Sequence, residues 1–360
     1  MKVALILNTR RDDSEFHAEY DPVHTVESIR RGIEEAGHEY LFIEGDEEAY
    51  ERIRSARPDL VFNRTEGIRG ESRESHIPAM LEMLGIPYVG SGVLTLALCL
   101  NKAWTKQLLR GAGIATPASF LISSTADLRE SKLREHHLPY PMILKPNAEG
   151  SSIGINEDNV VEDAAALRKK AIAMMNTYTG AILAEQFIPG REISVGVLGT
   201  GGMGRAPRVE HPAESREEPL EVLPFLEVDF SRLPPEVGNV FGQRAKSTYD
   251  DLSHYLCPAP LGAALEKSLR ETSLAACRVL GVRDFARLDF RIGTDGVPCF
   301  LEVNPLPGMD YDEETKDFSF FIIMALRSGL TYGALVDRLL RSAWARAGSG
   351  KEGVGVLTVA

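Results

Sequence analysis

From Val3 onward, short apolar runs alternate with segments whose apolar residues recur at helical spacing, and this alternation constrains the fold more than any other feature. Val3 to Leu7 reads as a strand, and Val26, Ile29, Ile33 and Ala36, closed by Gly37, read as a helix. Leu41 to Ile43, a helix through Tyr50 and Ile53, Leu60 to Phe62, a helix through Met80 and Leu84, and a short strand near Tyr88 continue the order. Such βα alternation predicts a parallel sheet with helices on both faces, a doubly wound lobe over residues 1–95. Ligands of such sheets sit beyond the carboxyl ends of the strands, which here carry Asn8, Asn63, Glu66, Gly90 and Ser91.

After residue 95 the pattern changes to strands separated by glycine turns and single helices, which predicts an α+β arrangement. Strands are expected at Pro141 to Lys145, Gly154 to Ile155 and Ala181 to Phe187, with a helix from Val161 to Met175, so residues 96–188 read as a central lobe. Residues 189–347 read as a third lobe, with strands near Ile193 to Leu198, Glu221 to Val228, Ala286 to Ile292 and Val297 to Val303. A helix through Leu261, Leu265 and Leu269 and a last one from about Tyr332 to Ala345 complete it. Two long polar stretches, Thr200 to Glu218 and Ser231 to Pro258, have the length of lids or binding loops. Glycine-rich residues 348–360 read as a flexible tail.

The formal net charge of −12 over 360 residues argues against nucleic-acid and anionic-membrane partners, which need basic surface. Cys99, Cys257, Cys277 and Cys299 form no C-x-x-C pair and read as buried free thiols of a cytoplasmic protein. The apolar run before Arg10 is too short for a signal-peptide core, and glycines and Pro87 break the uncharged stretch from Met83 to Asn101 into strand, turn and helix.

Two segments carry chemistry. Lys145-Pro-Asn-Ala-Glu-Gly-Ser-Ser-Ile-Gly154 follows an apolar strand, and its unhindered backbone N–H groups, with the Ser151 and Ser152 hydroxyls and the Lys145 ammonium, suit phosphate oxygens. A tight turn with a surface lysine is the plainer reading. Gly150-Ser-Ser-Ile-Gly154 also satisfies G-x-S-x-G, which would make Ser152 a hydrolase nucleophile, but Pro146 and Asn147 intervene before it and no helix follows directly. Farther on, strand alternation puts Arg287 and Asp289 on one face and Glu302 and Asn304 on one face of the next strand. Asp, Glu and Asn are the hard oxygen ligands Mg²⁺ takes beside substrate phosphates, a solvated sheet face being the alternative.

In this order, the first strand, Leu84-Gly-Ile-Pro-Tyr-Val-Gly-Ser91, Asn101-Lys102 with Thr105-Lys106, the Lys145 to Gly154 loop, Glu185 with Glu192, Lys246, Arg287-Leu-Asp289 and Glu302-Val-Asn304 with Pro307-Gly308 resemble the ATP-grasp enzymes. Within them, the D-alanine:D-alanine ligase family is the one resembled. The resemblance implies an ATP-grasp fold with an N-terminal doubly wound lobe, and an ATP-dependent ligase that joins a carboxylate to an amine through an acyl phosphate, releasing ADP and phosphate. It implies that Lys102 and Lys145 hold the nucleotide phosphates, that the Ser151 loop with Ser152 closes over the γ-phosphate, and that Lys246 arrives on the lid. Glu185, Gln186 and Ile188 would lie at the adenine and Glu192 at the ribose. Asp289, Glu302 and Asn304 would hold two Mg²⁺ ions, with Mn²⁺ as an alternative, and Arg287 with the Gly308 N–H would form an oxyanion site. Small amino acid or amine substrates and a homodimer are implied as well.

The chain departs from the family's pattern at the substrate end. Glu66-Gly67 stands where the family has His-Gly, and Ser247 replaces the tyrosine after the lid lysine, with Tyr249 close enough to compensate. Where the family has small and hydroxylic residues, an acidic run of Asp310, Asp312, Glu313, Glu314 and Asp317 reads either as a solvated helix start or as a wall that attracts an amine or basic side chain. Arg69 and Arg73 are candidates for binding an acidic first substrate, and Glu19 and Asp21 fall near the position of the family's amino-group glutamate. These departures favour a related ligase over D-alanine dipeptide synthesis itself.

Overall fold

The computed structural model describes residues 1–12, 14–136, 138–201 and 219–350, the last three as helix backbone only. Its N-terminal sheet is parallel, with β1 (Lys2–Leu7), β2 (Glu39–Glu44), β3 (Leu60–Arg64) and β4 (Tyr88–Val89) in the order β2-β1-β3-β4. Alternation along β1 decides what each face receives. Val3, Leu5 and Leu7 pack with Ile29 and Ile33 of α1 (Val23–Glu35), whereas Ala4 and Ile6 pack with Ile53 of α2 (Ala49–Ala56) and Leu81 of α3 (His76–Leu84).

Two short helices, α4 (Val93–Leu100) and α5 (Lys102–Gly111), lead into an antiparallel sheet of order β5-β8-β6-β7, built from β5 (Ser119–Ile122), β6 (Met142–Pro146), β7 (Val160–Val161) and β8 (Ile182–Gln186). Helices α6 (Glu130–His136) and α7 (Ala164–Thr177) accompany it, and Asp163 caps α7 by accepting from the Ala165 and Ala166 N–H groups. Residues 154–155, expected as strand, are a turn, because Gly154 takes φ +70° and any side chain there would meet Pro146 and Tyr178 at 2.8 Å.

The third sheet has six antiparallel strands. β9 (Arg191–Gly199), β10 (Glu221–Val222), β11 (Leu226–Val228), β12 (Tyr255–Leu256), β13 (Asp284–Ile292) and β14 (Pro298–Asn304) run β12-β11-β9-β13-β14, with β10 beside β9. The stretch from Ser231 to Pro258, expected as loop, carries α8 (Gln243–Tyr249), while most of the 200–218 stretch lies outside the described residues. Helix α9 (Ala263–Leu280) covers the apolar face through Leu269, Ala276 and Cys277 against Ala286, Leu288 and Phe290. A hairpin of β15 (Tyr311–Asp312) and β16 (Asp317–Phe318), then α10 (Phe320–Arg327) and α11 (Tyr332–Gly350), end the described chain.

The last helix does not stay with the third sheet. Leu335, Val336 and Leu339 of α11 join the core of the N-terminal sheet, and Gly32 on α1 lets α11 approach, since a Cβ there would lie 2.8 Å from Val336. Residues 348–350 continue this helix, and the rest of the expected tail lies outside the described residues. The acidic run is a hairpin rather than a helix start, Cys257 and Cys299 are half-buried, and no single helix among the described residues is long and apolar enough to cross a membrane.

Candidate active site

The three sheets meet around a cavity of about 560 Å³, continuous through Glu302 and Phe241 with a narrow recess of about 70 Å³. Strand register builds the polar wall they share. On β13, Arg287 lies opposite Asn304 and Asp289 opposite Glu302 of β14; on the other side Asp289 faces Ser194 and Arg291 faces Glu192 of β9. The intervening residues Ala286, Leu288 and Phe290 are in the core, so one strand supplies both the apolar floor and the charged wall.

Glu302 sits among cations. Lys102 Nζ is 3.7 Å from its carboxylate, and although burial disfavours its charge, Lys102, Lys145, Arg287 and Lys246 together hold Glu302 down to about 2. Arg287 grips Asp289 with Nε and Nη2 at 3.0–3.1 Å, and Ser194 Oγ donates to Asp289 Oδ1 at 2.6 Å. Glu192 pairs with Arg291 at 2.7 Å, and burial raises its carboxyl despite that partner. Glu302 and Asn304 face the cavity, and these donors are of the hard oxygen kind that suits Mg²⁺. Asp289 is already engaged by Arg287, and no group of three or more acidic, His or Cys side chains among the described residues is arranged to hold a metal by itself. The set therefore fits a Mg²⁺ ion that draws its remaining ligands from phosphate oxygens.

Lys145 and Lys106 share Glu185. Lys145 Nζ pairs with Oε1, and Lys106 Nζ lies 3.1 Å from Oε2, with all three side chains buried. Burial wins at Lys106 and pushes its ammonium down. At Lys145 burial is outweighed by Glu185 and Glu302, and Glu185 stays low because its two lysines overcome burial. Glu185, expected at the adenine edge, is a buried counter-ion that also lines the recess beside Gln186. Gln186, Phe187 and Ile188 line the recess with Ile143, Val240 and Leu301, and Lys145, Glu185, Glu192 and Arg291 make the rest of its lining polar.

The loop after β6 is pinned at both ends. The Asn147 carbonyl accepts from the Lys102 N–H and its Oδ1 from the Ala103 N–H, each at 3.0 Å, while Asn159 Nδ2 donates to the Leu144 and Gly154 carbonyls at 2.7 Å. Between them Ser151 and Ser152 adopt positive φ of 44° and 61°. Helix α8 is clamped on top: the Gln243 N–H donates to the Ile155 carbonyl at 2.8 Å, the Arg244 N–H to Asn156 Oδ1 at 3.0 Å, and Lys246 Nζ to Ser152 Oγ at 2.7 Å. The nucleophile-elbow reading of Ser152 fails here. No helix follows the strand, and the hydroxyl accepts from a lysine, with no histidine lining either part of the cavity among the described residues.

Other expectations change. Arg69 is exposed and pairs with Glu47, outside the cavity, while Arg73 is held by Glu19 at 2.7 Å and Glu149 at 3.0 Å, so neither is free to receive an acidic substrate. Glu19 is spent on Arg73 and on the Gly150 N–H, which ties the loop to the N-terminal sheet. Ser247 lines the cavity, but Tyr249 does not compensate for it: two residues on, about 200° round the helix, its hydroxyl lies 3.4 Å from Glu236. Of the acidic run, Asp310 and Asp317 line the cavity, whereas Glu313 and Glu314 are exposed at the hairpin turn.

Sequence reasoning passed over Arg64, Glu74, Arg291 and Ser319. Arg64, 2% exposed, donates to the Leu306 and Pro307 carbonyls at 2.9 and 2.6 Å and pairs with Asp21 at 2.9 Å, which fixes the segment before Gly308. A charge ending the apolar run Leu60 to Phe62 is the signal that marks it. Arg64→Met should cost about 3–5 kcal/mol, because Asp21 is then a buried charge without its partner; an unchanged urea midpoint would refute this. Ser319 lines the cavity and donates to the Gly308 carbonyl at 2.5 Å. The i, i+2, i+4 series Arg287, Asp289, Arg291 is a signal for the arginine, and nothing local marks Glu74.

Residues 108–341 match the family model described as D-ala D-ala ligase C-terminus. An uncharacterised protein of Sinorhizobium fredii is 32% identical over 327 residues, covering 88% of this chain and 86% of that protein. A D-alanine–D-alanine ligase of Dechloromonas aromatica is 33% identical over 285 residues, 79% of this chain and 81% of that one. The crystal structure of a D-alanine–D-alanine ligase from Bacillus anthracis complexed with ATP has a TM-score of 0.72 at 22% identity, covering 97% of this chain and 99% of that one. The architecture is the ATP-grasp fold. The chain belongs to the D-alanine:D-alanine ligase-like family and is an ATP-dependent carbon–nitrogen ligase.

Proposed function

We propose that the protein condenses an amino acid carboxylate with the amine of a second amino acid or amine through an acyl phosphate. The convergence of Lys102, Lys145, Lys246 and Arg287 around Glu302 carries this reading, since a polyanion in that cavity meets four cations already paid for by the fold. In the first step a carboxylate oxygen attacks the γ-phosphorus of ATP and the bond to the β–γ bridging oxygen breaks, releasing ADP. The amine then attacks the acyl carbon, inorganic phosphate leaves, and the amine nitrogen gives up its proton.

Lys102 and Lys145 would bind phosphate oxygens, and the loop through Ser151 and Ser152, with Lys246 on α8 above it, would exclude water from the acyl phosphate. Gln186 and Ile188 would border the adenine and Glu192 the ribose. Arg287 and the Gly308 N–H would receive the oxyanion of the tetrahedral intermediate. Asp289, Glu302 and Asn304 would hold Mg²⁺, which supplies neutralisation of phosphate charge when bound. A homodimer in the cytoplasm, where ATP is supplied, belongs to the same proposal, and a sedimentation run giving only monomer would remove the dimer.

Incubation with ATP, Mg²⁺ and pairs of D- and L-amino acids, with mass detection, tests the reaction: ADP, phosphate and an amide are expected in equal amounts. AMP and pyrophosphate would overturn the acyl phosphate. D-alanyl-D-alanine from D-alanine alone would identify the dipeptide ligase of cell-wall synthesis, the second reading, which the relatives' printed names favour.

A further inference from the structure

Glu66 and Glu74 are 9% and 7% exposed and line the cavity, yet neither makes a hydrogen bond or ion pair with a described residue. Asp21 lines the same wall, and its Oδ2 is buried without a hydrogen-bond partner among the described residues. Carboxylates outnumber cations among the side chains lining the cavity, and of those cations Lys102, Lys246 and Arg287 gather around Glu302. Burial first, and then Glu19 among its neighbours, pushes Glu74 up to about 8 against Arg73, Lys102 and Arg64. Burial and then Glu74 raise Glu66 well above its ordinary value. Buried acids without partners are costly, and folds keep them where something else meets them.

We infer that Glu66 and Glu74 form a subsite for a side-chain ammonium, so that one of the two molecules joined is a basic amino acid such as a diamino acid. The inference rests on the ligase reading for the act of joining but not for the binding. A cation between the two carboxyls lets both ionise and gives each a charge-assisted partner.

The test pairs substrates of equal size. With ATP and Mg²⁺, amide formation is followed for lysine against norleucine, ornithine against norvaline and diaminopropionate against 2-aminobutyrate, in both enantiomers, each with a panel of second substrates. The basic member is expected to have a kcat/KM about tenfold or more higher. Glu66→Gln and Glu74→Gln should each raise KM for it by about tenfold with kcat little changed, leaving the neutral member unaffected. Neutral members reacting as well as basic ones in the parent, or ratios unmoved in both variants, would overturn the subsite while leaving the ligase standing. If no pair yields an amide, the ligase reading is what fails. Calorimetric binding of lysine and ornithine to the nucleotide-free protein then decides the subsite alone: affinity lost in Glu66→Gln supports it, and no binding, or equal binding to the variant, overturns it. Both variants put a neutral amide of the same shape where burial already favours the neutral acid, and should fold, as near-ultraviolet circular dichroism will report.

Discussion

Glu302→Ala should lower turnover by about 10³-fold or more, the scale seen when a group that acts on transferring phosphate is removed. ATP binding measured without added metal should not weaken in the same variant. Glu302 lies amid Lys102, Lys145, Arg287 and Lys246, so its loss leaves four cations facing the phosphates with less anionic competition. A structural role alone predicts the opposite pairing, weaker ATP with turnover falling in proportion. The sign with pH is fixed by the same surroundings. Because the folded carboxyl is depressed to about 2, the stability it contributes is present above the ordinary value of 4.5 and is lost as pH falls from there toward 2. In Glu302→Gln the acid limb of the unfolding curve should therefore flatten between those values, and an unchanged limb would show that the surrounding cations do not act on it.

Glu185→Gln should destabilise the protein by about 3–5 kcal/mol, because it leaves the ammoniums of Lys106 and Lys145 in a buried space without their shared counter-ion. Lys106 also donates to the Leu301 carbonyl on β14, so the loss reaches the strand that carries Glu302. The double variant Glu185→Gln with Lys106→Met should recover a substantial part of the loss, since it removes the uncompensated charge instead of stranding it. Denaturant midpoints of the single and double variants check both statements. Equal midpoints for Glu185→Gln and the parent would mean the three charges are not coupled in solution.

What made the site legible in the chain was periodicity acting on charge. Arg287, Asp289, Glu302 and Asn304 interrupt apolar strands at alternate positions, and two-residue periodicity alone puts them on shared faces; the register then sets Arg287 against Asn304 and Asp289 against Glu302. The loop from Lys145 to Gly154 was legible because small residues after a strand mark a backbone that must turn tightly, and the positive φ values at Ser151, Ser152 and Gly154 are that turn. Glu185 was legible as a site residue but its lysine partners were not, because a counter-ion is defined by which lysines surround it, and Lys106 lies 79 positions away in the chain. Tyr249 misled for a helical reason: closeness in sequence to Ser247 is not closeness on the surface of α8.

The sequence by itself determined the local order, the parallel first sheet and the amphipathic faces, because each follows from spacing within a few residues. Only the tertiary structure decided that α11 crosses back to cover Val3, Leu5 and Leu7, that Arg64 secures the Leu306 and Pro307 carbonyls, and that Arg73 is consumed by Glu19 and Glu149. It also decided which acids of the 310–317 run reach the cavity and that Glu66 and Glu74 meet there without partners. These are long-range contacts, and the free energy of burying a charge depends on what the rest of the chain brings beside it.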